Sequence, residues 1–205
     1  MSFKIIPNVN LTKNFRLYEF LDSDRAVKCG GQMFDKQYDF SNEIALNIEF
    51  VAEKLQIPRT DIDCPLNIGS GYRNPLLNIE VKGSSTSFHL IGLGGDISID
   101  DAYMERKEYK PSREVIDLVS LLHTVADKQM PECNANYILF VYCCINRHAL
   151  NLVEIIHTNG TKFNPSFIHL SFSRDKEVLP CEIMVKEKGK DYDLISLRQV
   201  LAMDF

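Results

Sequence analysis

The segment from Gly69 to Asp100 constrains the fold most strongly, because its glycines allow the backbone to pass close to itself. His89 and Asp96 stand on either side of the run LIGLGG (90–95). A loop that leaves His89 can therefore return as a strand with Asp96 directed at the same point. Two interpretations of this pair stand side by side: a functional site, and a glycine-rich hairpin with an incidental histidine and aspartate.

A second histidine, His169, lies far downstream in the strand-like run FIHLSF (167–172). In an extended strand His169 and Ser171 share one face, while Ile168, Leu170 and Phe172 occupy the other. Two imidazoles and one carboxylate are a set that suits a catalytic zinc, which keeps its fourth position open for water. A structural histidine with satisfied hydrogen bonds is the alternative.

Composition limits the class of protein. The 205 residues suffice for one domain with a real core, and we expect a single domain over 1–205 with residues 1–40 as an arm packed on it. A net charge of −5 without any block of lysines and arginines argues against nucleic acid as a partner. The absence of GxSxG, GxxxxGK and a strand-linked GxGxxG argues against the common hydrolase, P-loop and dinucleotide-binding classes.

Two further features concern location. No apolar run approaches the length needed to cross a bilayer, so we expect no membrane span. The first residues, MSFKIIPNVN, lack the basic and then apolar pattern of a signal peptide, which predicts synthesis in the cytoplasm.

Hydrophobic periodicity predicts a mixture of helices and strands. One amphipathic helix is predicted over 42–56, with Ser41 as N-cap and Pro58 as its stop, and a second over 113–127. Strands are predicted at 66–68, 94–100, 137–145, 152–157, 167–172 and 181–187, followed by a closing helix at 193–202. This pattern predicts an α+β fold, with an antiparallel sheet that carries the site and helices on its opposite face.

Three motifs in order resemble those of the M15 metallopeptidases, which include zinc D-Ala-D-Ala carboxypeptidases and phage L-alanyl-D-glutamate endolysins. The motifs are SGYRNPLLN (70–78), SFHLIGLGGDI (87–97) and FIHLSF (167–172). Gly94 stands where the family usually has alanine. The opening LTKNFRLYEF (11–20) also resembles the start of the shorter, often phage-encoded members.

The resemblance implies a Zn²⁺ held by His89, Asp96 and His169 on the α+β fold that Hedgehog and D,D-peptidase proteins share. By family position, Arg73 would orient or polarise a peptide substrate. Ser87 would support the His89 loop, and it joins Tyr72 and Asn78 of the first motif as a further substrate-binding position.

The sequence departs from the family at the general base. Many members place a glutamate three residues before the last ligand, and others an aspartate two residues after it. Here those positions hold Ser166 and Ser171. Glu154 and His157, on the strand predicted to pair with FIHLSF, are candidate substitutes together with Ser171, because the predicted hairpin brings them near His169.

The resemblance therefore implies a zinc peptidase that cuts stem peptides or cross-links of peptidoglycan, of endolysin or D,D-carboxypeptidase type. We expect a phage or prophage origin, with action in the periplasm or cell wall after release, or from within a virion. The alternative is a weakly active or inactive virion or tail protein that binds cell-wall peptide and contacts phage structural proteins. A metal-free structural domain is a third interpretation.

Overall fold

A six-stranded sheet forms the centre of the molecule. The structure is a computed structural model, and it describes residues 9–21, 41–99, 135–160, 166–175, 180–187 and 193–195. The strands are β1 (Leu66–Ser70), β2 (Gly94–Ile99), β3 (Leu152–Gly160), β4 (Phe167–Phe172), β5 (Glu182–Glu187) and β6 (Asp193–Ile195). Their order is β1-β2-β4-β3-β5-β6, and all neighbours are antiparallel except β3 and β5.

The helices lie between these strands in the chain. They are α1 (Leu17–Leu21), α2 (Asn42–Asp61), α3 (Pro75–Glu80), a short 3₁₀ helix (Phe88–Ile91) and α4 (Ala135–Asn146). Helix α4 packs on β2, β3 and β4, and α2 packs against α1 and α4. Buried side chains from α1, α2, α4 and strands β1 to β5 form one apolar core. The predicted α+β fold is confirmed.

Helix α2 begins where the sequence predicts but ends later. The side chain of Ser41 accepts a hydrogen bond from the Ile44 amide at 3.2 Å, so Ser41 is the N-cap. The predicted stop at Pro58 is wrong, because the helix continues to Asp61. A proline removes its own N–H donor but not its carbonyl. The Pro58 carbonyl accepts from the Ile62 amide at 2.9 Å, so the final turn still closes.

The predicted strand at 137–145 is wrong, since this segment is helix α4. Nearly every side chain from Tyr137 to Cys144 is buried, on all sides of the helix. A helix buried all round has no polar face, so it shows neither the helical nor the strand period, and a short apolar run then resembles a buried strand. The β-branched and aromatic residues in YILFVYCCI added to that resemblance.

The predicted closing helix at 193–202 is wrong at its start. Residues 193–195 form strand β6, which pairs with β5, and cross-strand pairing overrides a weak local helix preference. The described residues do not include 196–202, the predicted helix at 113–127, or most of the proposed arm (1–8 and 22–40). The described part of the arm places Phe15, Leu17 and Phe20 in the core.

Candidate metal centre

Strand register brings two of the predicted ligands together. Asp96 of β2 pairs directly with His169 of β4. Residues directly opposite each other in antiparallel strands project from the same face, so both side chains reach one point. The sheet thus converts a separation of many residues in the chain into contact.

The third side chain comes from the 3₁₀ helix that precedes β2. Ser87 is its N-cap, and the Ser87 hydroxyl accepts from the His89 amide at 3.4 Å. The helix ends at Gly92, whose φ of 75° lies in the left-handed region that glycine adopts without strain. The turn at Gly92 directs the chain back into β2, and His89 therefore lies beside Asp96.

Three donor atoms form a compact ligand triangle: Nε2 of His89, Oδ1 of Asp96 and Nδ1 of His169. The Nε2–Nδ1 distance is 3.1 Å, the Nε2–Oδ1 distance is 3.3 Å, and the Nδ1–Oδ1 distance is 2.8 Å. Tetrahedral zinc with bonds of about 2.0–2.1 Å separates its ligand atoms by about 3.3 Å. Small outward movements would therefore accommodate the ion, and the donor types match those that zinc prefers.

The tautomer of His89 is set by a hydrogen bond at the ring nitrogen outside the triangle. Its Nδ1 lies 2.6 Å from the carbonyl oxygen of Gly71, which can only accept, so Nδ1 carries the proton. This leaves the lone pair on Nε2, the atom in the triangle. The side chain is buried, and burial lowers the pKa of His89, which keeps the ring neutral as a metal ligand must be.

The charged members of the triangle are Asp96 and His169. Burial by itself would lower the pKa of His169, but hydrogen bonds to Asp96 and Glu154 outweigh it and raise that pKa to about 9. Burial would likewise raise the pKa of Asp96, but its hydrogen bonds to His169 and His89 hold it well below its usual range. A bound cation would replace the proton on Nδ1 of His169.

Arg73 contacts the other oxygen of Asp96. Its Nη2 donates to Oδ2 at 2.5 Å, and its Nε donates to the hydroxyl of Ser70 at 2.8 Å. The guanidinium is held at two of its nitrogens, with 15% of the side chain exposed. Asp96 is thereby oriented with Oδ1 toward the two histidines.

Glu154 and Ser171 stand on the far side of His169. Nε2 of His169 lies 3.0 Å from the Ser171 hydroxyl and 3.3 Å from Oε2 of Glu154, and the hydroxyl donates to that same Oε2 at 2.7 Å. The hydrogen bond from His169 lowers the pKa of Glu154, against the opposing effect of burial, so the carboxylate is ionised. Both groups contact the ring nitrogen outside the ligand triangle.

The sequence comparison agrees with this site. Residues 14–114 match the model of the family Peptidase M15. The chain belongs to the peptidase M15 family. Membership supports hydrolase and metallopeptidase activity. No curated protein and no solved structure matches the chain. His89 and Asp96 lie within the matched segment, whereas His169 lies beyond it and joins them through the pairing of β2 with β4.

His157 is not brought to the site of this M15 chain. It alternates with Glu154 and Ile156 along β3 and lies on the opposite face of the sheet, fully buried. Its ring packs edge-on against Phe140 of α4, with centroids 5.4 Å apart. The sequence placed it near His169 from the hairpin alone, without the register that separates the two faces.

Two residues of the first M15 motif make contacts within the protein. Tyr72 is buried, and its amide donates to the Phe20 carbonyl of α1 at 2.8 Å. Asn78 is buried, and its Nδ2 donates to the Ser84 carbonyl at 2.8 Å. These bonds hold the backbone around Gly71 and the loop before His89. A role of either side chain toward substrate stays a prediction.

Sequence reasoning missed the supporting groups Ser70, Gly71 and Phe20. Ser70 and Gly71 belong to the motif SGYR, so their position before the arginine was the available signal. Phe20 contributes only its backbone carbonyl, and no side-chain pattern can reveal a backbone contact.

In the described ranges, no helix is long and apolar enough to cross a membrane.

Proposed function

We propose that the chain is a zinc metallopeptidase that hydrolyses peptide bonds of bacterial peptidoglycan. The observation that carries the proposal is the ligand triangle. Two imidazole nitrogens, each able to offer a lone pair when its ring is neutral, and one carboxylate oxygen lie 2.8–3.3 Å apart. Membership of the M15 family supports the reaction class. Three protein ligands leave one position of a tetrahedral ion open, as hydrolysis requires.

Zinc held by His89, Asp96 and His169 would supply a Lewis acid and lower the pKa of a water in the open position to about 7. The protein's own contribution is orientation. His89 presents Nε2 because Gly71 accepts its other proton, and Asp96 presents Oδ1 because Arg73 occupies Oδ2. The guanidinium of Arg73 also places a cation beside the site, where it can attract a peptide carbonyl or carboxylate oxygen.

The proposed substrate is a stem peptide or cross-link of peptidoglycan, with cleavage of endolysin or D,D-carboxypeptidase type. The family resemblance of the three motifs supports this choice. The N-terminal segment that resembles phage-encoded members supports a phage or prophage origin, with action at the cell wall after release or from a virion. By their positions in the family motifs, Ser87, Tyr72 and Asn78 are proposed as substrate-binding residues.

The direct test is hydrolysis by the purified, zinc-loaded chain. We expect soluble fragments from peptidoglycan or D-alanine from D-Ala-D-Ala peptides, loss of release after chelation, and recovery when zinc is restored. An Asp96→Asn variant provides a matched control, because it keeps the shape of the ligand and removes its charge. Absence of release from every substrate, with zinc bound in stoichiometric amount, would overturn the proposal.

A second function is favoured by one specific observation. In the described ranges, Glu154 is the one carboxylate besides Asp96 that contacts the residues of the ligand triangle. It contacts the ring nitrogen of His169 that lies outside the triangle. A site without a general base beside its open position would bind metal and hydrolyse slowly, since acid–base catalysis contributes about 10²–10⁴-fold. Such a chain would bind cell-wall peptide as a virion or tail protein.

The two functions separate in one pair of measurements. The binding function predicts tight zinc, measurable affinity for muropeptides by calorimetry, and no turnover over long incubation. The peptidase function predicts turnover with the same zinc content. Arg73→Ala should weaken muropeptide binding in either case. Substitution of Lys82, an exposed cation that lies shortly after the first motif, should not.

A further inference from the structure

We infer that Glu154, acting through Ser171, sets the tautomer of His169 and so makes Nδ1 the metal-binding nitrogen. Glu154 is then a positioning residue, not the general base that its place in the hairpin suggested. The inference rests on the proposed function only in taking the ligand triangle as a zinc site. It concerns how the chain prepares that site for the ion.

The first step is the direction of the hydroxyl hydrogen. Ser171 is fully buried, and its Oγ lies 2.7 Å from Oε2 of Glu154. An ionised carboxylate can only accept, so the single hydroxyl hydrogen of Ser171 points to Glu154. The lone pairs of Oγ remain, and they are what Ser171 offers to its other neighbour.

The second step follows from the distance between Ser171 and His169. Nε2 of His169 lies 3.0 Å from Oγ, which can now only accept there, so Nε2 must carry a hydrogen. Glu154 lies 3.3 Å from the same nitrogen and favours the same proton position. A neutral ring with hydrogen on Nε2 has its lone pair on Nδ1.

The third step joins this relay to the triangle. Nδ1 of His169 is the atom 2.8 Å from Oδ1 of Asp96 and 3.1 Å from Nε2 of His89. A carboxylate behind a histidine is a recurrent way to orient a metal ligand and raise its basicity. The serine here lies between the two groups, so the carboxylate acts mainly through a hydroxyl whose direction it fixes.

The paired strand provides a matched control. Glu182 of β5 lies directly beside Glu154 in the sheet, and it is exposed. In the described part of the chain, Glu182 does not contact His169. Glu182→Gln therefore removes an equal charge from the neighbouring register position and leaves the relay intact.

The experiment measures zinc affinity of the full chain by competition with a chromophoric chelator, without reference to activity. We expect Glu154→Ala and Ser171→Ala to weaken zinc binding by about 10–100-fold, the usual effect of losing an outer partner of a metal ligand. Glu154→Gln keeps an acceptor for the Ser171 hydroxyl and should lose less than Glu154→Ala. Glu182→Gln should stay within about twofold of the original chain.

A second readout reports the tautomer itself. Long-range proton–nitrogen NMR of the zinc-loaded chain should show His89 bound through Nε2 and His169 bound through Nδ1 with hydrogen on Nε2. In Ser171→Ala the His169 signals should divide between two binding modes. A loss of packing alone would lower thermal stability without altering this pattern.

The outcomes distinguish the hypotheses. Unchanged zinc affinity and an unchanged His169 pattern in both Glu154 variants would overturn the inference. Loss of turnover in Glu154→Gln at full zinc affinity would also overturn it, because that is the behaviour of a general base. A chain that binds zinc normally but cleaves nothing contradicts the proposed peptidase and leaves the relay supported or refuted by its own readouts. A chain that binds no zinc overturns both.

Discussion

The two halves of the candidate metal centre are held by different kinds of contact. The first half, His89 and Asp96, comes from one continuous glycine-rich segment within the part of the chain that matches the M15 family. His89 there is fixed by a backbone carbonyl, that of Gly71. The second half, His169, comes from β4, outside the matched segment, and is fixed by side chains of β3 and β4.

This difference shows how each half tolerates change. Backbone contacts depend on close approach, so the first half depends on glycines and is sensitive to an added methyl group. Side-chain contacts depend on the chemical identity of Ser171 and Glu154, so the second half is sensitive to loss of polar atoms. The same ligand triangle thus depends on shape at one side and on hydrogen bonding at the other.

The largest expected effect comes from removing a ligand in either half. His89→Ala and His169→Ala should each reduce zinc affinity by more than the about 10–100-fold that follows loss of an outer partner. Elemental analysis after dialysis should show zinc well below one equivalent. His148→Ala, at an exposed position away from the triangle, is the control and should keep full zinc. Full zinc in His169→Ala would remove the second half from the site.

The next largest effect tests whether the first half depends on close backbone approach at its glycines. A Cβ at Gly71 would lie 2.4 Å from the Phe20 carbonyl oxygen, and one at Gly94 would lie 2.7 Å from the His89 amide nitrogen. Alanine at either position should lower the free energy of unfolding by about 1–3 kcal/mol, the range for overpacking, and weaken zinc binding. Chemical denaturation and zinc titration provide the measurements.

Gly69→Ala is the matched control for these two variants. Its Cβ would lie 3.5 Å from the Asp96 carbonyl oxygen, an ordinary contact. We expect a change within about 0.5 kcal/mol. Equal stability of all three alanine variants would show that close approach does not hold this half, and it would make the family's usual alanine acceptable at Gly94.

The structure brings together the three residues that the motifs single out, whereas some of the predicted elements around them are wrong. His89, Asp96 and His169 are recognisable because coordination chemistry demands particular side chains at particular motif positions. Strands β3 and β4 are recognisable because each keeps a strand-type apolar run. Helix α4 was mistaken for a strand, since full burial erases the period that separates the two.

Register and backbone contacts were beyond reach of the sequence for a different reason. His157 and Glu154 are three residues apart, so they lie on opposite faces of an extended strand. Only the pairing of β3 with β4 shows that the face with Glu154 is the one that carries His169. The bond from His89 to Gly71 uses a carbonyl that every residue possesses. Such features depend on how segments distant in the chain come into contact. The residue pattern of a single sequence does not show these contacts.

A smaller effect tests whether Arg73 serves the first half or the substrate. Arg73→Lys keeps the positive charge but loses the fork that reaches both Asp96 and Ser70. If the arginine mainly orients Asp96, zinc affinity should fall by about tenfold, as for other outer contacts. Unchanged zinc affinity with a raised KM would instead assign the guanidinium to the peptide substrate.

The smallest effect concerns Asn78, the last residue of the first motif. Its buried Nδ2 donates to the Ser84 carbonyl, and this bond ties α3 to the loop that leads to His89. Asn78→Ala should lower the free energy of unfolding by about 1 kcal/mol, the net value of one hydrogen bond, and leave zinc affinity unchanged because no ligand contacts the side chain directly. Asn67→Ala, at an exposed position of β1, should change neither quantity. A raised KM in Asn78→Ala at normal stability would show that Asn78 acts on the substrate, and the first half of the site would then extend beyond the metal ligands to the substrate itself.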